Sequence, residues 1–263
     1  MNQINKLPII QEKIRKIRQD TIKKVKIRSP NNDLNKPVAF WTKPDRLLNE
    51  VGNELTIILR TRGCEWALGD NGGCSMCGYI RDANIDHVNS QNIINQFDFA
   101  FKNSLDKIQS NSEPWIVKIF NSGSFLDDTE MPKRAREYIY KKITSTKNIK
   151  EFVIESRPEY LSHENLGEIK KFLPNKYVEI GIGLETVNDY IRINYINKGF
   201  KFNDFQEALN LCREYKVGVK AYLLFKPPFL SEQAAIDDCK KSIKKLLELK
   251  INSISINPVN IQK

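Results

Sequence analysis

The run RTRGCEWALGDNGGCSMCGYIRDA carries three cysteines spaced Cys64-x9-Cys74-x2-Cys77. Thiolates are the usual protein ligands of iron–sulfur clusters. Three of them leave one iron of a [4Fe–4S] cubane without a protein ligand, free to bind a substrate. The glycines of the run allow the backbone to wrap a bulky inorganic core. A structural zinc is the competing chemistry, and it wants four closed ligands. His87, ten residues beyond Cys77, could complete a Cys₃His set. The x9 gap is unusual for either, so the spacing leaves both open.

Two further groups of residues could do chemistry. NSGSFLDD (121–128) offers small residues, Asn121, Ser122, Gly123 and Ser124, where backbone groups can approach a ligand and form an anion- or amine-binding concavity. The plainer reading is an ordinary turn, with Asp127, Asp128 or Thr129 capping a following helix. Glu155, Ser156 and Arg157 in IESRPEYL, and Glu185 in GIGLET, place polar groups within or just after strand-like runs. Charges are rarely tolerated in a parallel sheet unless paired or functional. A Glu155–Arg157 or Glu185–Arg157 ion pair is the structural alternative. Cys212 and Cys239 stand apart in apolar helical stripes and read as core packing.

The elements that must position these residues alternate between strand and helix. Strand-like runs occur at 54–60, 115–120, 151–156, 177–184, 219–225 and 252–257. They are continuous and β-branched-rich, as parallel strands covered on both faces are. The cysteine run directly follows the first of them, at the strand end where α/β barrels place their chemistry. Asn203 could cap one intervening helix, with Gln206 in the capping-box position, and Ser231 another. Six strands alternating with helices imply right-handed βαβ units, and predict either a partial barrel or an open doubly wound sheet. Residues 29–54 hold turn and loop formers. The expected organisation is an α/β chain with a basic helical arm and lead-in at 1–50 and the partial barrel at 51–263.

The 263 residues, 40% of them hydrophobic, suffice for one large core. No stretch approaches the ~18 apolar residues that a membrane span needs, and MNQINKLPIIQEKIRK lacks a signal peptide's apolar region. A cytoplasmic protein without membrane attachment is therefore expected. Five cysteines, an odd number with three clustered, are no disulfide framework. Net charge is +10, and residues 1–30 hold nine basic residues against Glu12 and Asp20. Such a segment attracts polyanions through counterion release. Alternatively it is a solvated helix that buries Ile9, Ile10, Ile14 and Ile17. The chain stops six residues after its last strand-like run, which suggests a compact enzyme or a missing C-terminal part.

Taken together, these motifs resemble the radical S-adenosylmethionine (SAM) superfamily, in the branch of the Elongator catalytic subunit and the tRNA methylthiotransferases. IESRPEYL resembles that branch's third strand, NSGSF its methionine-amino-group motif and KPPFL its fifth-strand exit. RTRGCEWALGDNGGCSMCGY, FNSGSFLDD, EIGIGLET and NPVNIQK are most similar to the radical SAM subunits of archaeosine synthases, over roughly residues 40–263. The resemblance implies a partial (β/α)6 radical SAM barrel with Cys64, Cys74 and Cys77 on a [4Fe–4S] cluster. It implies SAM contacts from Met76, Tyr79, Asn121, Ser122, Gly123, Ser124, Glu155 and Glu185, with Glu155 and Arg157 as catalytic candidates. Met76 departs from the aromatic residue common before the third cysteine, yet still offers adenine an apolar surface. The implied reaction cleaves the lysine carbon–nitrogen bond of a lysine-adducted 7-deazaguanine in tRNA, after an amidotransferase-type partner has attached the lysine. An Elongator-like tRNA modifier, and a non-catalytic zinc-stabilised RNA-binding module, are the alternative expectations.

Overall fold

Six runs of aliphatic and β-branched residues become six parallel strands, each after the first reached by a helical crossover. The computed structural model of the protein describes residues 9–27, 33–47, 50–84, 88–110 and 112–260. In chain order it contains α1 (Ile9–Ile27), β1 (Ala39–Arg46), β2 (Val51–Ile58), α2 (Glu65–Leu68), α3 (Ser90–Gln109), β3 (Trp115–Phe120), α4 (Lys133–Ser145), β4 (Ile149–Glu155), α5 (His163–Phe172), β5 (Tyr177–Glu185), α6 (Asp189–Asn194), α7 (Phe202–Glu214), β6 (Gly218–Phe225), α8 (Glu232–Glu248) and β7 (Ser253–Pro258). The seven strands lie side by side in sequence order. A doubly wound sheet reverses its winding at a switch point. This sheet never does, so the partial barrel is the correct alternative.

The seventh strand corrects the reading of residues 29–54 as loop. β1 pairs antiparallel with β2 along its whole length, from Ala39 opposite Ile58 to Arg46 opposite Val51. Pro44 disguises it, yet an edge strand tolerates a proline. The boundary expected at residue 50 therefore crosses a hairpin whose strands share one sheet.

One face of the sheet is sealed by helices. Leu55, Ile57, Val117, Ile119, Phe152, Ile154, Ile180 and Ile182 are fully buried there against Ile93, Phe97, Ile139, Ile169 and Leu209. The alternate residues face the concave side, and many are polar. Register sets Thr56, Lys118, Val153 and Glu179 in one row across β2 to β5. Lys118 bridges Glu54 at 2.5 Å and Asp45, and Lys220 meets Glu179 at 3.0 Å. These charges on the concave face are thus offset by neighbours.

Some helix starts follow the expected local chemistry and others do not. Ser231 caps α8 by accepting from the Ala234 amide at 3.3 Å. Asn203 does not cap α7. That helix starts earlier, where Asp204 accepts from the Lys201 amide at 2.7 Å, and Asn203 lies inside it, donating to Glu207. Among the described residues no helix is long and apolar enough to cross a membrane.

Cys212 sits in α7 wholly buried in the main core, where desolvation pushes its thiol up to about 12. Cys212→Ala is expected to cost about 1 kcal/mol or more through lost packing, with metal content unchanged. Urea unfolding beside iron analysis checks both halves of that expectation.

A three-cysteine candidate cofactor site

The cysteine run leaves β2 at the C-terminal edge of the sheet and folds back around the short helix α2. Cys64 opens that helix, its carbonyl accepting from the Ala67 and Leu68 amides at 2.9 and 3.0 Å. Gly73 has φ +80°, and a Cβ there would lie 2.8 Å from the Ala67 Cβ, so the return strand of the loop needs glycine. Cys74 and Cys77 close a tight turn, joined by the Cys77 amide to the Cys74 carbonyl at 3.2 Å.

The loop is pinned by a distant segment. Asn197, 1% exposed, donates to the Asn71 and Gly73 carbonyls at 2.8 and 2.9 Å. Its own carbonyl accepts from the Trp66 indole at 2.7 Å. The Ser75 amide donates to the Ile196 carbonyl and the Ser75 hydroxyl to that of Tyr195, both at 2.8 Å. Asn197 has φ +56°, a conformation asparagine tolerates better than most residues.

Burial dominates the cysteine electrostatics. Desolvation pushes the Cys64 thiol up to about 12, opposed by the Arg157 guanidinium and reinforced by Cys74 and Glu130. Cys77 is raised for the same first reason, with Cys74 adding to it. Buried thiols resist ionising unless a metal compensates. Three thiolates on one loop match three irons of a cubane and fall one short of the four closed ligands of a structural zinc, so the chemistry of the donor set fits a cluster better than zinc. His87 lies outside the described residues.

The second motif folds beneath Cys64. A Cβ on Gly123 would fall 2.7 Å from the Cys64 Cα and 2.1 Å from Glu130 Oε2, so this glycine permits direct contact between the two loops. Glu130, 2% exposed, accepts from the Thr61 hydroxyl at 2.5 Å and the Ser124 amide at 2.8 Å. The Arg157 amide donates to the Ser124 hydroxyl at 3.1 Å, tying the motif to the end of β4. Ser122 donates to the Tyr79 carbonyl at 3.2 Å. The buried Asn121 amide finds no well-formed hydrogen bond. Asp127 turns back onto Thr129 rather than capping α4, which begins after Pro132.

Glu155, Arg157 and Glu185 gather at the same opening, with partners unlike those expected. Arg157 pairs with Glu159 at 2.5 Å and donates to the Lys198 carbonyl at 3.0 Å. Its guanidinium also stacks over Trp66 and Phe200, 5.2 and 5.6 Å from their centroids. Glu185 takes Lys198 at 2.7 Å. Neither pairs with the other, and Arg157 does not pair with Glu155. Desolvation pushes Glu155 up to about 7, opposed by the Tyr222 hydroxyl and Lys198 and assisted by Glu185. Gly181, opposite Lys220 in β6, leaves room for the Tyr222 ring, which a Cβ would meet at 2.6 Å. Met76 packs beside Cys74, Cys77 and Tyr195, while Tyr79 stands 64% exposed.

Sequence reasoning missed Glu130, Lys198, Tyr222, Trp66 and Asn197. Glu130 and Trp66 fall within or next to the quoted motifs. Lys198 and Asn197 come from an unremarkable loop, and only the fold reveals their partners.

No family model matches the chain. It is 38% identical over 238 residues to a protein of Methanosarcina acetivorans named archaeosine synthase subunit beta, covering 90% of this chain and 66% of the relative. A protein of the same name from Thermococcus kodakarensis is 38% identical over 227 residues, covering 86% and 68%. The chain thus spans about two thirds of the length of these curated relatives. Among solved structures, a queuine lyase from Clostridium spiroforme bound to SAM and queuine shares the fold. Its TM-score is 0.59 at 23% identity, over 84% of this chain and 81% of that one.

Two outcomes are expected of this geometry. Asn197→Ala strands two buried carbonyls and forces alanine into a left-handed backbone, at a cost of about 3 kcal/mol. Thermal unfolding of the metal-free protein measures it, and Asn197→Gly should recover only the backbone share. Glu155 carries a carboxyl raised from 4.5 to about 7. In that interval the folded state binds more protons than the unfolded one, so wild-type stability falls as pH rises. Glu155→Gln should therefore gain on wild type between about pH 4.5 and 7 and hold a constant advantage above. Denaturant midpoints that shift in parallel at every pH would refute the assignment.

Proposed function

Because the chain belongs to the radical SAM archaeosine synthase subunit beta family, we propose that it is the radical SAM component that completes archaeosine in tRNA. The observation that carries the reading is the loop of Cys64, Cys74 and Cys77, pinned at the mouth of a partial barrel in a chain 38% identical to proteins of that name. Cys64, Cys74 and Cys77 would hold a [4Fe–4S] cluster, leaving one iron for the amino and carboxyl groups of SAM. Together these cofactors supply an electron and a carbon-centred radical able to abstract hydrogen from an unactivated carbon.

The chain's own residues bind and orient. Asn121, Ser122, Gly123 and Ser124 belong to the loop that packs on Cys64, where the methionine end of SAM would sit. Glu185, anchored by Lys198, lines the same opening, and Met76 presents an apolar face for adenine. Glu155 and Tyr222 place a carboxyl that titrates near neutrality and a hydroxyl on the concave face. They are suited to hold the charged end of an amino-acid substituent or a proton at its nitrogen. The sealed apolar face of the sheet excludes water from that side.

The substrate under this reading is tRNA bearing a lysine-adducted 7-deazaguanine. A lysine-adding amidotransferase-type subunit is the partner, in keeping with the relatives' designation as subunit beta. Cleavage of the lysine carbon–nitrogen bond leaves the amidine on the base.

The test is anaerobic reconstitution with iron, sulfide, SAM, a low-potential reductant and lysine-adducted tRNA, with and without the partner. About four iron and four sulfide per chain are expected, lost in Cys64→Ala, Cys74→Ala and Cys77→Ala. The archaeosine nucleoside should appear together with 5′-deoxyadenosine. Formation of 5′-deoxyadenosine without consumption of the adduct, even with the partner present, would refute the substrate while leaving the cofactors standing.

A further inference from the structure

Three aromatic rings stand in a row beside the cysteine turn. Tyr195 is the middle one, its centroid 5.6 Å from that of Tyr190 and 5.4 Å from that of Phe229, in edge contacts. It packs on the apolar cluster that includes Cys74, Met76 and Cys77, and its carbonyl takes the Ser75 hydroxyl at 2.8 Å. The two outer rings, Tyr190 and Phe229, are nonetheless 61% and 65% exposed. Single exposed apolar residues are ordinary, whereas a contiguous exposed row marks a binding surface. Phe229 is the anomaly within it. In KPPFL the smaller Leu230 packs against the cluster while the larger Phe229 is turned out to solvent. Phe229 has φ +70°, a region that bulky residues avoid, and Lys226 has φ +61°. The loop is braced in that shape, since Lys226 pairs with Glu232 and the Val259 amide donates to the Phe225 carbonyl at 3.1 Å. Backbone strain that the surroundings impose gathers at ligand sites.

The N-terminal helix brings cations to the segment that carries Tyr190 and Tyr195. It does not bury the face its isoleucines suggest. Ile9 is 71% and Ile17 64% exposed, while the buried stripe is Gln11, Ile14, Arg18 and Ile22. Gln11 donates to the Ile193 carbonyl at 3.4 Å, and Arg15 to the Asn197 side chain at 3.3 Å, so α1 runs against α6 and the turn after it. Lys13, Lys16, Lys23 and Lys24 are left facing solvent, against Glu12 and Asp20 on the same helix. Exposed rings with lysines nearby suit unpaired nucleic acid, whose bases stack on aromatic faces while cations follow its phosphates.

We propose that Tyr190, Tyr195 and Phe229 form a stacking platform for unpaired RNA bases at the rim of the cysteine loop, with Lys13 and Lys16 of α1 on neighbouring phosphates. The inference rests on the tRNA reading given above and adds to it the surface that receives the RNA. Hydrogen bonds from the Ser75 amide and hydroxyl to the Ile196 and Tyr195 carbonyls fix the platform relative to the cysteine turn. A base stacked on the row therefore sets where the adjoining nucleotide meets the opening. Stacking also selects for unpaired bases, because a base inside a duplex offers no free face.

The experiment uses the full chain, reconstituted without oxygen, in wild-type form and as Tyr190→Leu, Phe229→Leu, Phe229→Tyr and the double variant Lys13→Gln with Lys16→Gln. The probes are an RNA stem–loop with 2-aminopurine in its loop and a fully paired RNA of the same length. Fluorescence anisotropy reads affinity, and quenching of 2-aminopurine reads stacking. Tyr190→Leu and Phe229→Leu should bind the stem–loop roughly tenfold more weakly, lose the quenching and bind the duplex as wild type does. Phe229→Tyr should keep both affinity and quenching. The lysine variant should weaken both RNAs and flatten their salt dependence; an unchanged dependence overturns the phosphate half of the proposal. Wild-type affinity and quenching in the two leucine variants overturn the platform, as does an equal loss on the duplex. Loss of SAM binding in those variants would assign the rings to the cofactor instead. Unchanged RNA binding with loss of the partner subunit would make them a protein-docking surface. Quenching that depends on the rings in a protein unable to consume the lysine adduct would refute the archaeosine reading and leave the platform standing.

Discussion

The geometry of the site depends on Asn197. Its amide spans two carbonyls on the return limb of the cysteine loop, its carbonyl takes the Trp66 indole, and its left-handed backbone turns the chain toward Lys198. The loop has little regular structure of its own beyond the four residues of α2. Without this anchor, nothing local would set the distance between Cys64 and the Cys74–Cys77 turn. The next residue but one, Gly199, lies against Trp66 so closely that a Cβ would come within 2.4 Å of the ring. One short segment after α6 thus fixes the cysteine loop, and α1 bonds to both that segment and the loop.

The sheet beneath is divided by the alternation of its strands. One face is sealed by helices and wholly apolar, so it can contribute rigidity but no chemistry. The concave face carries Glu54, Lys118, Glu179, Lys220, Tyr222 and Glu155, and most of these are matched in pairs. Glu155 is the exception, bonded to a hydroxyl rather than an ammonium, and burial raises its carboxyl. Perturbed groups of this kind cluster where proteins bind and transform ligands. Gly181 and Gly183 widen the same region, since any side chain at either would strike Tyr222, Lys198 or Glu185.

Much of this was legible in the sequence. Each of the six parallel strands was marked by a continuous aliphatic run, and the cysteine spacing pointed to the end of the first. What escaped had physical reasons. Pro44 broke the pattern of β1, although an edge position removes the penalty a proline would carry elsewhere. The face of α1 was misjudged because periodicity counts isoleucines, whereas the helix buries Gln11 and Arg18 to satisfy carbonyls at Ile193 and Gly72. Partners for Arg157 and Glu185 were misassigned because charge pairing follows three-dimensional proximity, and Lys198 arrives from a loop that no pattern singles out. Gly123 read as a small residue facing a ligand, and its contact with the Cys64 backbone ties that motif to the cysteine loop as well.

Charge around the cysteines explains why so polar an opening is stable. Three thiolates and a cluster would place several negative charges where burial already drives Cys64 and Cys77 toward their neutral forms. Arg157, Arg18 and Lys198 approach from three separate elements, and each favours ionised sulfur at one or another of these positions. None of the three is free to act alone. Arg157 is steadied by Glu159 and two aromatic faces, Lys198 by Glu185, and Arg18 by the Gly72 carbonyl. Unloaded, these cations face buried thiols that resist ionisation. Loaded, the same charges oppose an anionic centre. The architecture therefore makes the cysteine loop stable in proportion to what it binds.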